Sequence, residues 1–389
     1  MKIGVIADDL TGALDTGVQF SKFGLKSIIQ LRPNLENDAD VVIINTNSRE
    51  ISKEKAQESI SDAVRNLKGR ILFKKIDSTF RGHLEAEITT ILDQTIYTKA
   101  ILCPTIIEED RVVIDSKLWV SGKLLHETPF SHDPIWPAKT SSIEDFFKDP
   151  IKKISLAEVR SGSEKLRKKI NLCNEKILVP DSTERQDLSL LADVVWKTNI
   201  LPCGALAFAK AWIAAIGLNE LQHSQLPAPL NNPILIISGS LHPNTKQQVN
   251  ILSNNHNCIN IIVPQSSSDI AEIQSKILKE LKQANKSIIL RTPKEKIKKH
   301  KMRETLKRNQ AKIARAIIES FQINSLIVCG GDTVNSLLSE LNTEAIICHS
   351  EVSPGFPYGI LRGGIGNNLP IYTKAGGFGS SQILLNLFT

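Results

Sequence analysis

Two carboxylates, Asp8 and Asp9, stand side by side directly after the apolar run Ile3 to Ala7, and Thr11-Gly12 follow closely. Adjacent like charges are unfavourable unless cations or hydrogen-bond donors answer them. Two later stretches offer such groups, each again at the end of an apolar run. DVVIINT leads to Asn47, Ser48 and Arg49, and RILFKKI leads through Lys74 and Lys75 to Asp77, Ser78, Thr79 and Arg81 in KKIDSTFRG. If the three runs are parallel strands of one sheet, all these groups leave the same rim. Carboxylates, hydroxyls and guanidinium groups gathered there suit a small, hydroxylated, anionic ligand. An Arg grips a carboxylate through two parallel hydrogen bonds, and an Asp accepts from a hydroxyl and can act as its base. Each residue also has a structural reading. Asp9 or Thr11 reads as the N-cap of the first helix, Asp77-Ser78 as the cap of the helix around LEAEI, Arg49 and Arg81 as surface ion pairs, and Lys74 as solvent-facing. His83 and His132 read as loop histidines, and HETPFSHD matches no metal-ligand spacing.

A different chemistry repeats in the second half of the chain. ILIISGSLHPNT, LIVCGGDTVNSLLSEL and LPIYTKAGGFGSSQILLNLF each read as strand, glycine turn and helix. The turns are Gly239-Ser240, Gly330-Gly331, and Gly376-Gly377 with Gly379. The expected caps are Asn244 or Thr245, Asp332 or Thr333, and Ser380 or Ser381. Glycine lets main-chain N–H groups approach a ligand, and a helix N-terminus offers unpaired donors and partial positive charge. Three such turns on one edge make a polyphosphate cradle at the carboxyl ends of the strands, where open α/β sheets bind ligands. Lys374 is placed to add a full charge. The chain has no G-x-x-x-x-G-K-[ST] and no dinucleotide fingerprint, so neither a P-loop nor a nicotinamide site is indicated.

The elements that must position these groups alternate. KIGVIA, KSIIQL, DVVIINT, RILFKKI and KAILCP read as strands, with helices over GALDTGVQFSKFG, KEKAQESISDAVRNLKG and LEAEITTILDQT. After Pro104, RVVIDSKLWVSGKLLHET reads as short antiparallel strands turning at Ser121-Gly122. HSQLPAPLNNP, residues 223–233, reads as a linker. Beyond it PILIISGS, INIIVP, KSIILRT, SLIVCGG, EAIICHS and LPIYTKAGG form a second series. The expected fold is α/β with two domains, each a mostly parallel sheet flanked by helices, and a small antiparallel insertion in the first. The domains are expected at 1–225 and 226–389.

Bulk properties exclude several classes. The 389 residues are 41% hydrophobic and 23% charged, ordinary for a globular protein, and aromatics are scarce at 5%. The net charge of +7 comes from one stretch: Arg291 to Arg315 holds eleven Lys/Arg against two Asp/Glu. No recognition motif accompanies that charge, so it reads as a solvated connection and surface helix rather than a nucleic-acid site. The six cysteines show no C-x-x-C pair and lie mostly in apolar runs, as buried thiols of a reducing compartment do. The N-terminal apolar run is too short for a signal peptide and no run approaches a membrane span. A cytoplasmic location, without nucleic-acid or membrane partners, is expected.

Together the motifs resemble the four-carbon acid sugar kinases, which phosphorylate tetronates and oxo-tetronates. The resembling pieces are IADDLTGALDTG, KKIDSTFRG, LCP with LWVSGKLLHETPFSHDPIWP, GSLHPNTKQQV, GGDTVNSLL and KAGGFG, in the family's order from end to end. After LCP the family commonly shows Gly-Arg and a further glycine, where this chain has Asp110-Arg111 and Ser116-Lys117. The resemblance implies an N-terminal domain binding the sugar acid through Asp8 or Asp9, Arg49, Lys75, Asp77, Ser78 and Arg81. It implies a C-terminal domain binding ATP through Ser240, Gly330, Gly331, Lys374, Gly376 and Gly377. The implied reaction is transfer of the γ-phosphoryl of ATP, with Mg²⁺, to a terminal hydroxyl of threonate, erythronate or an oxo-tetronate. Arg49 or Arg81 would hold the substrate carboxylate, Asp9 in preference to Asp8 would orient or deprotonate the hydroxyl, and domain closure would exclude water. The alternative is a sugar-acid or nucleotide sensor without turnover. A homo-oligomer is compatible with either.

Overall fold

Runs such as IGVIA are apolar throughout because a parallel sheet is covered on both faces; Ile3–Ala7 is buried along its whole length. The computed structural model describes residues 1–32, 38–133, 135–196, 198–221, 230–264, 266, 275, 286–293 and 300–388. Residues 223–229 of the expected linker and 294–299 of the basic stretch lie outside the described residues. The chain forms two units, Met1–Ser27 with Glu36–Gln222, and Ile28–Leu35 with His223–Thr389.

In the first unit seven strands run parallel, in the spatial order Val41–Asn45, Ile3–Ala7, Ile71–Lys75, Ile200–Gly204, Lys99–Cys103, Ile177–Pro180 and Ile151–Ile154. Ile151–Ile154 was not foreseen from the sequence. The helix Leu10–Lys22 begins where the Asp9 carboxylate accepts the Gly12 N–H at 3.1 Å, and Ser52 caps Lys53–Asn66 in the same way. The register fixes the site. Ala7 lies opposite both Asn45 and Lys75, and Lys75 lies opposite Gly204. The chain therefore leaves three neighbouring strands at one level, and the polar groups that follow each strand share a rim. The core behind that rim centres on Trp212, whose ring packs against Phe73, Phe20 and Trp196 with centroids 5.5, 6.4 and 6.3 Å away. The insertion is the expected antiparallel sheet, Arg111–Ile114, Lys117–Val120 and Lys123–Leu124. Its tight turns use left-handed residues, Asp115-Ser116 and Ser121-Gly122.

In the second unit Cys258–Ile262, Ser287–Arg291, Ile234–Ser238, Ser325–Cys329 and Pro370–Lys374 are parallel neighbours. Ser238 lies opposite Cys329 and Cys329 opposite Lys374, so the three glycine turns also leave one level. Two features differ from the sequence expectation. Ala345–Glu351 turns back into Pro357–Arg362, and both that pair and the next, with Pro370–Lys374, are antiparallel. The connection through Ser353-Pro354-Gly355 is too short for a parallel crossover, which needs about a dozen residues. Ser27–Gln30, read as part of the N-terminal series, borders Ala345–Glu351. From there Leu31 N–H donates to Glu344 O at 2.9 Å and Arg32 donates to Asn342 Oδ1 at 3.2 Å.

Trp212→Ala removes the ring at the centre of the first unit's core and should cost about 3–5 kcal/mol. Chemical denaturation of the variant against the parent measures it, and a loss under about 1 kcal/mol would show that the core does not depend on this ring.

Candidate functional site

The Arg49 guanidinium answers the acidic pair in the first unit. Its Nε donates to Asp8 Oδ2 at 2.8 Å and its Nη2 to Asp9 Oδ1 at 2.9 Å. The same Nη2 stands 3.6 Å from Asp77 Oδ1. Asp77 is gripped in turn by Arg81, with Nε to Oδ2 at 3.0 Å and Nη2 to Oδ1 at 2.9 Å, the bidentate geometry of a strong pair. The result is a row of alternating charge: Asp9, Arg49, Asp77, Arg81. Burial alone would raise the Asp77 carboxyl, but Arg81 and Arg49 outweigh it and hold it well below the usual carboxylate range. Burial would likewise raise Asp8, and Arg49 with Lys74 and Lys75 brings it below its ordinary value. Asp9 both caps the first helix and pairs with Arg49, so the two readings of that residue are compatible. The Asp9 side chain is 23% exposed against 4% for Asp8, whose buried Oδ1 has no partner among the described residues.

Space is as restricted as charge. A methyl group on Gly12 would stand 2.7 Å from Asp9 Oδ1 and 2.8 Å from Lys75 Nζ. Lys75 Nζ donates to Ile76 O at 2.9 Å beside that gap. Below the rim Lys74 is buried, not solvent-facing, and pairs with Glu87 at 2.8 Å. Glu87 accepts from Ser48 Oγ at 2.6 Å, which lies 2.7 Å from Thr46 Oγ1. This buried chain ties the Arg49 loop to the helix Leu84–Gln94. Burial would lower the Lys74 ammonium, but Glu87 and Asp8 raise it, so it stays charged.

Arg111 was not among the candidate residues. It leaves the insertion's first strand, donates to Ser78 Oγ at 2.5 Å, pairs with Glu109, and lies over the Phe130 ring at 5.3 Å. The signal available in the sequence was Asp110-Arg111 standing where a Gly-Arg pair is common. Asp110 adopts the left-handed conformation, φ 50°, that glycine takes most easily.

In the second unit the three turns converge on Ser240. A methyl group on Gly376 would lie 2.5 Å from Ser240 Oγ, and one on Gly330 3.4 Å from Ser240 N. Gly330, at φ 117°, is the N-cap of Gly331–Glu340, so Asp332 and Thr333 lie inside the helix rather than capping it. His242 replaces Asn244 and Thr245 as cap of Pro243–Asn255, its Nδ1 accepting the Asn244 N–H at 3.2 Å. The freed side chains do other work. Asn244 donates to Gly377 O and Gly379 O, Thr245 to Gly376 O, and Gln248 to Phe378 O, Gly379 O and Ser380 O, all within 2.7–3.1 Å. Lys374 is buried and donates to Ala375 O at 2.9 Å and Phe378 O at 3.0 Å. Every carbonyl from Ala375 to Ser380 is thus engaged. The N–H groups of Gly376 and Gly377 take no acceptor among the described residues. Lys374 therefore organises the loop from behind; burial lowers its ammonium pKa. The helix expected after Gly379 is a series of turns ending in Leu385–Leu387, because Ser380 O is shared between Gln248 and an i+3 bond from Ile383.

No group of three or more His, Cys, Asp or Glu side chains suited to a metal occurs among the described residues. None of their helices is long and apolar enough to cross a membrane, and the six cysteines are free thiols.

Residues 3–212 match the model of a sugar-binding N-terminal domain and residues 235–384 that of a nucleotide-binding C-terminal domain. The chain is 30% identical to a D-threonate kinase of Salmonella typhimurium, over 99% of this chain and 97% of that protein. It is 26% identical to a D-erythronate kinase of Heliobacterium modesticaldum, over 97% and 94%. A solved Haemophilus influenzae structure shares the fold with a TM-score of 0.80 at 20% identity, covering 99% of this chain and 100% of that one.

Two outcomes follow from the geometry. The unfolded Asp titrates near about 3.9, and the folded Asp8 and Asp77 lie lower. The unfolded chain therefore takes up protons first, and stability falls as pH drops below about 5. In Asp77→Asn the acid limb of a stability–pH profile should flatten; an unchanged limb would contradict the assignment. Gln248→Ala frees three loop carbonyls and should raise hydrogen exchange of the amides of 376–380 roughly tenfold, as exchange mass spectrometry would read; unchanged exchange would show that Gln248 does not hold the loop.

Proposed function

This chain belongs to the four-carbon acid sugar kinase family, and from that membership we propose that it transfers the γ-phosphoryl group of ATP to the terminal hydroxyl of a tetronate. The row Asp9–Arg49–Asp77–Arg81 carries the reading. A four-carbon acid has a carboxylate at one end and a hydroxyl at the other. The row offers a cation at one end and a carboxylate at the other. Arg81 suits the substrate carboxylate: its Nη1 stands 3.7 Å from Asp133 Oδ2, and the side chain is 31% exposed. Ser78, which takes a hydrogen bond from Arg111, lies in the same loop as Arg81, and Lys75 stands near Asp9 at the other end of the row. Asp9, the more accessible of the acidic pair, accepts the attacking hydroxyl and orients it. Asp8 positions Arg49 and is not itself the reacting group.

The nucleotide's phosphates lie against Ser240, Gly330-Gly331 and the outward N–H groups of Gly376 and Gly377 in this scheme. Phosphoryl transfer passes through a loose transition state, so alignment and charge neutralisation supply most of the acceleration. Mg²⁺ commonly binds through one or two carboxylates and substrate phosphates. Bound together with the nucleotide, Mg²⁺ would supply positive charge to the phosphate oxygens. Such a kinase would act in the cytoplasm, where ATP is available.

The test is ADP release with Mg·ATP and a panel of D- and L-threonate, D- and L-erythronate and 3-oxo-tetronates. One or more should be turned over. Asp9→Asn should lower kcat by roughly a hundredfold or more with ATP binding intact, and Asp8→Asn should chiefly raise KM for the sugar acid. Near-normal turnover in both variants would remove the acidic pair from the reaction.

A further inference from the structure

The basic helix reads from sequence as a solvated surface feature, yet it reaches the glycine turns. His300–Ser320 carries Asn309 and Gln310 fully buried. Gln310 Nε2 donates to Ser238 O, the last carbonyl of the strand that leads into Gly239-Ser240, at 3.2 Å, while its buried Oε1 has no partner among the described residues. Asn309 Nδ2 donates to Pro264 O at 2.9 Å. These two contacts fix the helix over the carboxyl end of the sheet. One turn earlier, Lys307 Nζ stands 3.0 Å from Asp332 Oδ2 and 2.6 Å from Glu304 Oε1. Asp332 is the second residue of the helix that starts at Gly331.

Two cations at the ends of strands in the second unit are engaged by their own surroundings. Lys374 is turned to the carbonyls of its own loop. Arg291, at the end of a neighbouring strand, donates to Asn250 Oδ1 and Val249 O. Lys307 differs: its partners are carboxylates, and Asp332 is 65% exposed where Lys307 is 21% exposed. An exposed carboxylate gives up a partner at little cost, since its freed oxygens are taken by water.

We propose that Lys307 is a phosphate-binding residue of the nucleotide site, held beside the Gly330-Gly331 turn by Asp332 and transferred to the polyphosphate when nucleotide binds. The inference rests on the nucleotide reading of the glycine turns and adds to it a cation carried by a different element. It also gives the basic helix a role: a surface stretch rich in Lys and Arg supplies one residue to the site from outside the turns themselves. A polyphosphate carries more negative charge than Asp332 and offers the ammonium several oxygens, so the exchange is favourable. AMP, with one phosphate, has less to offer.

The experiment is direct binding of ATP, ADP and AMP by calorimetry to the full chain, to Lys307→Gln and to Lys307→Arg. In Lys307→Gln the Kd for ATP should rise roughly tenfold and that for AMP should stay within about twofold, while Lys307→Arg should retain most of the ATP affinity because it keeps the charge. The ATP affinity of the parent should also fall more steeply with salt than that of Lys307→Gln. Equal ATP affinity in parent and Lys307→Gln, or an equal loss for ATP and AMP, would overturn the role of Lys307. Absence of any ATP binding by the parent would instead overturn the nucleotide reading of the turns.

Discussion

The first unit depends on one guanidinium that has to neutralise several carboxylates at once. Arg49 reaches Asp8, Asp9 and Asp77 from a single side chain. Without it, three negative charges at the ends of two adjacent strands would repel each other in a poorly hydrated place. Arginine suits the position because its planar head presents five donors in a fixed arrangement. The backbone supplies the alignment, since the strands ending at Ala7, Asn45 and Lys75 finish in register. The buried pair of Lys74 and Glu87 then holds the loop that delivers Arg49. Local order at the rim is thus set by charge compensation and not by apolar packing alone.

The second unit orders its last glycine loop with neutral side chains and a single ammonium. Side chains of Pro243–Asn255 and the ammonium of Lys374 take up successive carbonyls of the loop 375–380. A peptide whose carbonyls face one way presents its N–H groups the other way. The result is a set of fixed dipoles directed outward, the feature on which the proposed phosphate site rests. Asn244, Thr245 and Gln248 fall on one helix face, so a single helix can address the whole loop.

Much of this was legible from residue order. Apolar runs ending in polar clusters located both rims, and paired glycines marked the turns, because both patterns are local. The antiparallel insertion was equally visible through its alternation and its Ser121-Gly122 turn. What escaped was direction and distance. The letters around Lys374 cannot say whether its ammonium faces a ligand or its own loop. Arg111 and Lys307 come from segments remote in the chain from Ser78 and Asp332, and only the fold brings each pair together. Pro357–Arg362 was hidden by the prolines and glycines on either side of it. The first of the expected caps was misplaced by two or three residues because His242 competes with Asn244 and Thr245, whose side chains the loop recruits.

The strand Ser27–Gln30 has a consequence for biosynthesis. Its neighbour Ala345–Glu351 is made long after it; the bond from Arg32 to Asn342 spans 310 residues. Pairings of that separation form late, since closing a long loop must precede any gain from the contact. During translation this early segment has to stay available, without aggregating, until nearly the whole polypeptide has emerged. A fragment begun after the proline-rich connection would lack the segment altogether and leave an open sheet edge for other chains to join.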